Sequence, residues 1–253
     1  MDDQRGVSEA APPVRRWPLR SILLIAALPA LMGALIGTGA LSNLLPQDPY
    51  AREAEEAGAE MLELPGFKER FGSVEDEDAF RVGAELGASA IPRLPAAELG
   101  EWLTITRQLL HALDAESCAN AARGMADSAD ALEAFKTLEI DVYRRYVEII
   151  MIGVRLELSD APGAAPPTQE ESDAALGLLV QEVGVERMQE IGTVMAAPAQ
   201  ASDAELCDAT LDLYDALATL DEQSRVTLLR MVTGQTAMAM PVRSDAVAGA
   251  FVG

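Results

Sequence analysis

The chain has 253 residues, which is enough for one large domain or two small ones. Its 41 acidic and 19 basic residues give a net charge of −22, which disfavours general nucleic-acid binding because phosphates would repel the chain. Hydrophobic residues make up 49% of the chain, so wholesale disorder is excluded.

The first predicted element is a single transmembrane helix over residues 21–45. This run contains no charged residue, and as an α-helix it would extend about 37 Å, enough to cross a hydrocarbon core of about 30 Å. Arg15, Arg16 and Arg20 precede it, whereas mainly acidic residues follow it. The positive-inside rule therefore predicts that residues 1–20 form a cytoplasmic tail and that the remainder is exported.

The alternative for this segment is a signal peptide, with a small-residue cleavage site at Thr38-Gly39-Ala40. An uncleaved anchor is favoured because the apolar run exceeds the roughly 7–15 residues of a signal-peptide core. Both interpretations export the domain that begins near residue 46. Seventeen arginines against two lysines are typical of a GC-rich bacterial genome. We therefore expect a location in a bacterial inner membrane, with the main domain in the periplasm.

One face of the predicted anchor carries only small side chains. These lie at a 4-3-4-3 spacing, which keeps them on one side of a helix: Ala26, Ala30, Gly33, Gly37 and Ala40. Small residues allow two membrane helices to approach closely. The pattern predicts a helix-association face, through which the chain could form a homodimer or contact another membrane protein.

The exported part is predicted to be an all-α bundle of about eight helices, because alternating strand patterns are nearly absent. A proline-rich loop at 159–167 interrupts it, and residues 239–253 are expected to form a frayed tail. The domain therefore spans residues 46–238. In chain order, eight predicted helices cover 49–64, 73–91, 96–113, 128–158, 168–183, 185–196, 202–220 and 221–238, and a further short helix surrounds Cys118.

Capping patterns and periodicity support these helices. Asp48-Pro49 is a helix start, and Thr168 with Glu171 forms a capping box before another helix. Residues 147–154 are apolar nearly all round, which predicts a central core helix. Because this apolar stretch is short and contains Glu148, it is not a second membrane span.

Cys118 and Cys207 are the only cysteines in the chain. In an exported domain, two cysteines are most simply one disulfide, and this bond would connect the segments on either side of the 159–167 loop. The sequence contains no CxxC motif and no basic residue close to either cysteine. These absences disfavour redox catalysis.

The sequence contains little that indicates catalysis. His111 is the only histidine, which excludes a multi-histidine zinc site, and no phosphate-binding glycine loop is present. Glu171-Ser172 followed by Gly177-Leu178-Leu179-Val180-Gln181 resembles fragments of the lytic transglycosylase signature. The insert between the two fragments has only four residues, and the further aromatic-rich motifs of that family are absent. We therefore predict no catalytic, cofactor-binding or metal-ligating residues.

These features together favour a membrane-anchored interaction protein that binds another envelope protein. One alternative is an exported carboxylate-based hydrolase that acts on cell-wall glycan, which would need two carboxylates about 5–10 Å apart in a cleft. A second alternative is a structural subunit of a larger membrane complex, held through the small-residue face of the anchor.

Overall fold

The computed structural model describes residues 48–72, 76–124, 128–159 and 165–239, and all regular structure in these ranges is helical. There are eleven α-helices and one short 3-10 helix, at Ile91–Arg93. The α-helices are α1 (Pro49–Glu63), α2 (Phe67–Phe71), α3 (Asp76–Ala90), α4 (Ala96–Ala112), α5 (Ala115–Arg123), α6 (Ser128–Phe135), α7 (Ile140–Leu158), α8 (Gln169–Val183), α9 (Val185–Ala196), α10 (Asp203–Thr219) and α11 (Glu222–Ala239). The predicted all-α class of the domain is confirmed for these residues.

The predicted membrane anchor, with its small-residue face, lies outside the described residues, as do the tail at 1–20 and residues 240–253. In the described ranges, no helix combines the length and apolar character needed to cross a bilayer.

Most predicted helix boundaries agree with the structure, because local capping determines them. The Asp48 carboxylate accepts hydrogen bonds from the backbone N–H groups of Tyr50 and Ala51 and so caps α1. Thr168 and Glu171 form the predicted capping box of α8, and Ser202 and Glu205 form the corresponding box of α10. Each box satisfies N–H groups that a helix N-terminus leaves without partners.

The prediction of one continuous helix over 128–158 is wrong, because the chain breaks between α6 and α7. At this break, the carbonyl oxygen of Leu138 accepts a 2.6 Å hydrogen bond from the Tyr50 hydroxyl. The Lys136 ammonium lies 2.6 Å from the carboxylate of Asp48. The Leu138 carbonyl is available to Tyr50 because the helix is interrupted here. In an uninterrupted helix, this carbonyl would accept from the backbone N–H four residues later.

Residues 67–72, which lie between the first two predicted helices, contain the five-residue helix α2. Its N-cap Gly66 adopts a left-handed conformation, with φ of 86°. A Cβ at this position would lie 2.6 Å from the carbonyl oxygen of Leu158, so the turn requires glycine.

Helix α7 is the centre of the first half of the bundle, as its apolar sequence predicts. It packs against α1, α3, α4 and the 3-10 helix. Tyr143, Tyr146, Ile149 and Ile150 are at most 1% exposed. The surrounding helices therefore remove most apolar side chains in the middle of α7 from water, which is the main source of stabilisation in a helical core.

The end of α3 lies directly against α7 at Gly153. A Cβ built on Gly153 would lie 2.8 Å from the carbonyl oxygen of Ala90 and 3.1 Å from the Ala90 Cβ. These distances are shorter than normal van der Waals contacts. The two helices can therefore approach this closely only because position 153 has no side chain.

The second half of the bundle is organised around α10, which packs against α4, α5, α8 and α9. Helix α4 lies between the two halves because it contacts both α7 and α10. Trp102 on α4 faces Tyr214 on α10, with 6.4 Å between ring centroids, and both side chains are 1% exposed. The buried residues of the two halves consequently form one continuous hydrophobic core.

The close approach of α3 and α7 generates a stability prediction with an internal control. Gly153→Ala should destabilise the fold by about 1–3 kcal/mol, because the new methyl group forces the helices apart. Gly177→Ala should instead stabilise it by about 0.5–1 kcal/mol, because Gly177 is an exposed position within α8 and no atom lies within 4 Å of its added Cβ.

Urea denaturation of the full-length protein in detergent, followed by far-ultraviolet circular dichroism, measures both effects. Equal changes in the free energy of unfolding for the two substitutions would contradict the close packing at Gly153.

Candidate functional site

The two cysteines lie on different helices and are brought together in the core. Cys118 on α5 and Cys207 on α10 have their sulfur atoms 2.04 Å apart and their Cα atoms 5.4 Å apart. They are 0% and 5% exposed, respectively. The pair predicted from the sequence is therefore at disulfide distance, and its burial keeps solvent thiols away from the sulfur atoms.

Arg123 strengthens the same junction between α5 and the start of α10. Its guanidinium donates to Asp203 at 2.6 Å and to the carbonyl oxygens of Pro198 and Ala201 at 3.1 and 3.0 Å. The side chain is only 14% exposed. Its hydrogen bonds therefore hold the loop between α9 and α10 against α5. The sequence alone did not indicate this contact.

His111, the only histidine, lies on the surface of α4 beside α10. Its Nε2 atom is 3.0 and 3.1 Å from the two carboxylate oxygens of Asp215, which also accepts a 2.8 Å hydrogen bond from Arg107. Partial burial acts to raise the pKa of Asp215, but hydrogen bonds from His111 and Arg107 outweigh it and leave this pKa below its usual value. This arrangement is an interhelical ion pair that joins α4 to α10.

Glu171 belongs to the fragment that resembles the lytic transglycosylase signature, but its environment does not suit a general acid. Its carboxylate accepts hydrogen bonds from the backbone N–H and the hydroxyl of Thr168, each at 2.8 Å. These bonds lower the pKa of Glu171. A glycosidase acid needs a raised pKa so that it carries a proton near neutral pH, whereas Glu171 remains ionised.

Three tyrosines contribute hydroxyl groups to the buried core. Burial raises the pKa of Tyr146 to about 12, and burial also raises the pKa values of Tyr143 and Tyr214. All three rings are at most 1% exposed. They therefore stay neutral at physiological pH and have no access to a substrate.

Three surface cavities contain polar side chains. The first, of about 400 Å³, lies among α4, α5 and α6, and its carboxylates include Asp114, which caps α5, and Glu133, which pairs with Lys136. The second, of about 590 Å³, lies between the Pro166-Pro167 stretch and helices α8 and α11. The third, of about 440 Å³, lies among α4, α10 and α11, and Arg225 lines it. We name the third cavity the Arg225 cavity.

Among the residues that the structure describes, no group of three or more His, Cys, Asp or Glu side chains could hold a metal ion. In the first cavity, Asp114 caps α5 and Glu133 pairs with Lys136, as described above. The three cavities offer polar surfaces for binding.

Helices α8 and α9 expose both apolar and acidic side chains to solvent. Leu178 is 40% exposed and Val185 is 57% exposed, whereas most large apolar residues are buried. Gly177 lies beside Leu178, with open space around it. The exposed carboxylates on the same two helices include Glu170, Asp173, Glu182 and Glu186. We call Leu178, Val185 and these carboxylates the α8–α9 surface.

Comparisons of this chain with protein-family models, with curated proteins and with solved structures gave no match. The residues and geometry described above are therefore the basis for proposing a function.

The cysteine pair predicts a large effect of reduction on stability. The two cysteines are 89 residues apart in sequence, so removing the bond with Cys118→Ala and Cys207→Ala together should cost up to about 4.5 kcal/mol through loop entropy. Urea denaturation of the full-length protein in detergent, with and without reductant, provides the measurement. Alkylation of both thiols in unreduced protein isolated from the cell envelope would contradict the bond.

The buried tyrosines predict a loss of stability at alkaline pH. An unfolded tyrosine has a pKa of about 10, so the stabilisation from neutral Tyr146 is complete below pH 10 and declines as pH rises towards 12. Between these values, Tyr146→Phe should reduce the slope of stability against pH by up to about 1.4 kcal/mol per pH unit. Urea denaturation across this range tests this expectation, and identical slopes for the two proteins would contradict it.

Proposed function

We propose that the chain is a single-pass membrane protein whose helical domain lies outside the cytoplasm and binds another envelope protein. The basic residues before position 21 and the acidic residues after the apolar run support this orientation. The buried cysteine pair supports export, because disulfides persist in oxidising compartments.

The α8–α9 surface is the proposed contact with the partner. Exposed Leu178 and Val185 are the observation that carries the proposal, because apolar side chains of this size gain stabilisation when a partner covers them. Residues 165–221 contain twelve carboxylates and one basic residue, Arg187. A partner that fits this surface therefore presents an apolar ridge flanked by lysine or arginine side chains.

Charge would affect this association at two stages. At a distance, the negative domain would attract a basic partner and accelerate encounter, and this effect would weaken as salt screens the charges. On contact, burial of Leu178 and Val185 would provide binding energy that salt does not screen.

Hydrolysis of cell-wall glycan receives less support from the structure. Glu171 and Glu222 line the second cavity together, but the lowered pKa of Glu171 makes its carboxyl group unsuited to donate the proton that the reaction needs.

A photo-crosslinking residue at position 185 tests the proposed contact in intact cells. Leu178→Glu should reduce the yield of the crosslinked adduct at least about tenfold, because it places a charge at one of the two apolar positions of the proposed contact. Leu62→Glu is the matched control, since Leu62 is a similarly exposed leucine, at 47%, on α1. This control should leave the yield unchanged.

The adduct should also decrease in membranes that are washed with concentrated salt before irradiation, because the proposed partner is basic. Absence of an adduct, or an equal loss with Leu62→Glu, would refute the α8–α9 surface as the contact.

A further inference from the structure

Two arginines differ from all the others whose side chains the structure describes. Nine of these arginines form an ion pair with a carboxylate: Arg52, Arg70, Arg93, Arg107, Arg123, Arg144, Arg145, Arg155 and Arg187. Within the same described part of the chain, Arg225 and Arg230 form none. In a protein with so large an excess of acid, a guanidinium without a carboxylate is unexpected.

Arg225 has little to satisfy its donors. Its Nη1 atom donates to the carbonyl oxygen of Leu220 at a long distance of 3.4 Å, and its buried Nε atom has no acceptor. A guanidinium has five N–H groups, and leaving a buried one without a partner costs stability. The unsatisfied edge of Arg225, formed by Nε and Nη2, lies beside Gly100.

Gly100 leaves space next to this edge. A Cβ at position 100 would lie 3.6 Å from Nη2 and 3.8 Å from Nε, which is ordinary contact distance. The absence of a side chain at position 100 therefore leaves this side of the guanidinium without a covering methyl group. The planar guanidinium of an arginine is suited to pairing with a carboxylate, whose oxygens accept hydrogen bonds from its N–H groups.

The other charged groups that line the Arg225 cavity are engaged, apart from Glu222. Arg107 pairs with Asp215, and Glu101 accepts hydrogen bonds of 3.0 and 2.7 Å from Arg145. Glu222 forms no ion pair in the described ranges, so it is a potential intramolecular competitor for Arg225. The cavity therefore has one guanidinium available, which suits a singly charged ligand better than a doubly charged phosphate.

The remaining wall of the cavity is partly apolar. Ala96, Ala97, Leu103 and Ala218 contribute to it, and its volume of about 440 Å³ lies within the usual range for small-molecule sites. An arginine beside such a wall is suited to a molecule with a carboxylate at one end and a hydrocarbon portion at the other.

We propose that the Arg225 cavity binds a small organic monocarboxylate, whose two oxygens accept hydrogen bonds from Arg225 and whose hydrocarbon portion contacts the alanine-lined wall. This site is separate from the α8–α9 surface and does not depend on the proposed envelope partner.

Protection of Arg225 from phenylglyoxal, measured by mass spectrometry on the full-length protein in detergent, tests the proposal. Saturating hexanoate should slow modification of Arg225 at least about threefold, because the bound carboxylate covers the guanidinium. Hexanamide, its neutral counterpart, should give no protection. Arg52, whose side chain is 66% exposed, is the internal control and should react equally under all conditions.

Two variants test the geometry. Glu222→Gln should lower the hexanoate concentration that gives half-protection by about threefold, because it removes the competing carboxylate. Gly100→Ala should abolish protection by filling the space beside the guanidinium, while the substitution itself favours a helix.

Four results would overturn the proposal. In the first, phenylglyoxal never modifies Arg225, and in the second, hexanoate does not change the rate of this modification. In the third, hexanamide protects Arg225 as well as hexanoate does, and in the fourth, Glu222→Gln and Gly100→Ala both leave protection by hexanoate unchanged.

Discussion

The burial of α7 constrains most of the first half of the bundle. Several of its charged side chains pair with neighbouring elements around the buried apolar face. Arg144 reaches Glu53 on α1, Arg145 reaches Glu101 on α4, and Glu157 accepts from Arg70 and Arg93. The Glu157 side chain is only 12% exposed, and burying its charge without partners would be costly. The two arginines offset this cost by pairing with it.

Close packing adds a second requirement to this enclosure. Gly153 allows α3 to reach α7, and Gly66 allows the turn before α2 to pass the end of α7. The ion pairs select which faces meet, whereas the glycines determine how closely the backbones approach. The orientation of α7 relative to its neighbours depends on both.

Local signals in the sequence were sufficient to predict most helix boundaries. Thr168 with Glu171 and Ser202 with Glu205 form the capping boxes that their spacing indicates, and Gly124 ends α5 in a left-handed conformation. The pairing of Cys118 with Cys207 was also predictable, because the chain has no other cysteine.

Features that depend on distant residues were not predictable in this way. The break between α6 and α7 is stabilised by Tyr50 and by Asp48, about ninety residues earlier in the chain. Periodicity over 128–158 contains no information about those contacts. The Arg225 cavity was also missed, since nothing in the local sequence shows which of the arginines would lack a carboxylate.

Two surface features of the described domain are proposed for recognition, the α8–α9 surface and the Arg225 cavity. Many of the domain's carboxylates serve helix caps and interhelical pairs, and its tyrosines lie largely inside the core. The two proposed features differ in chemistry, since the first exposes carboxylates and apolar side chains and the second presents a guanidinium. One domain could therefore bind a protein and a small acid at separate positions.

The bond between Cys118 and Cys207 encloses α6, α7, α8 and α9 in one covalent loop. If a protease cut the backbone anywhere inside this loop, the two fragments would still be joined through sulfur. Ala165 and Pro166, which are exposed at the end of the proline-rich stretch, lie within the loop. A nicked molecule would thus retain its full mass until a reductant separated the pieces, so the bond gives the domain tolerance to cleavage as well as stability.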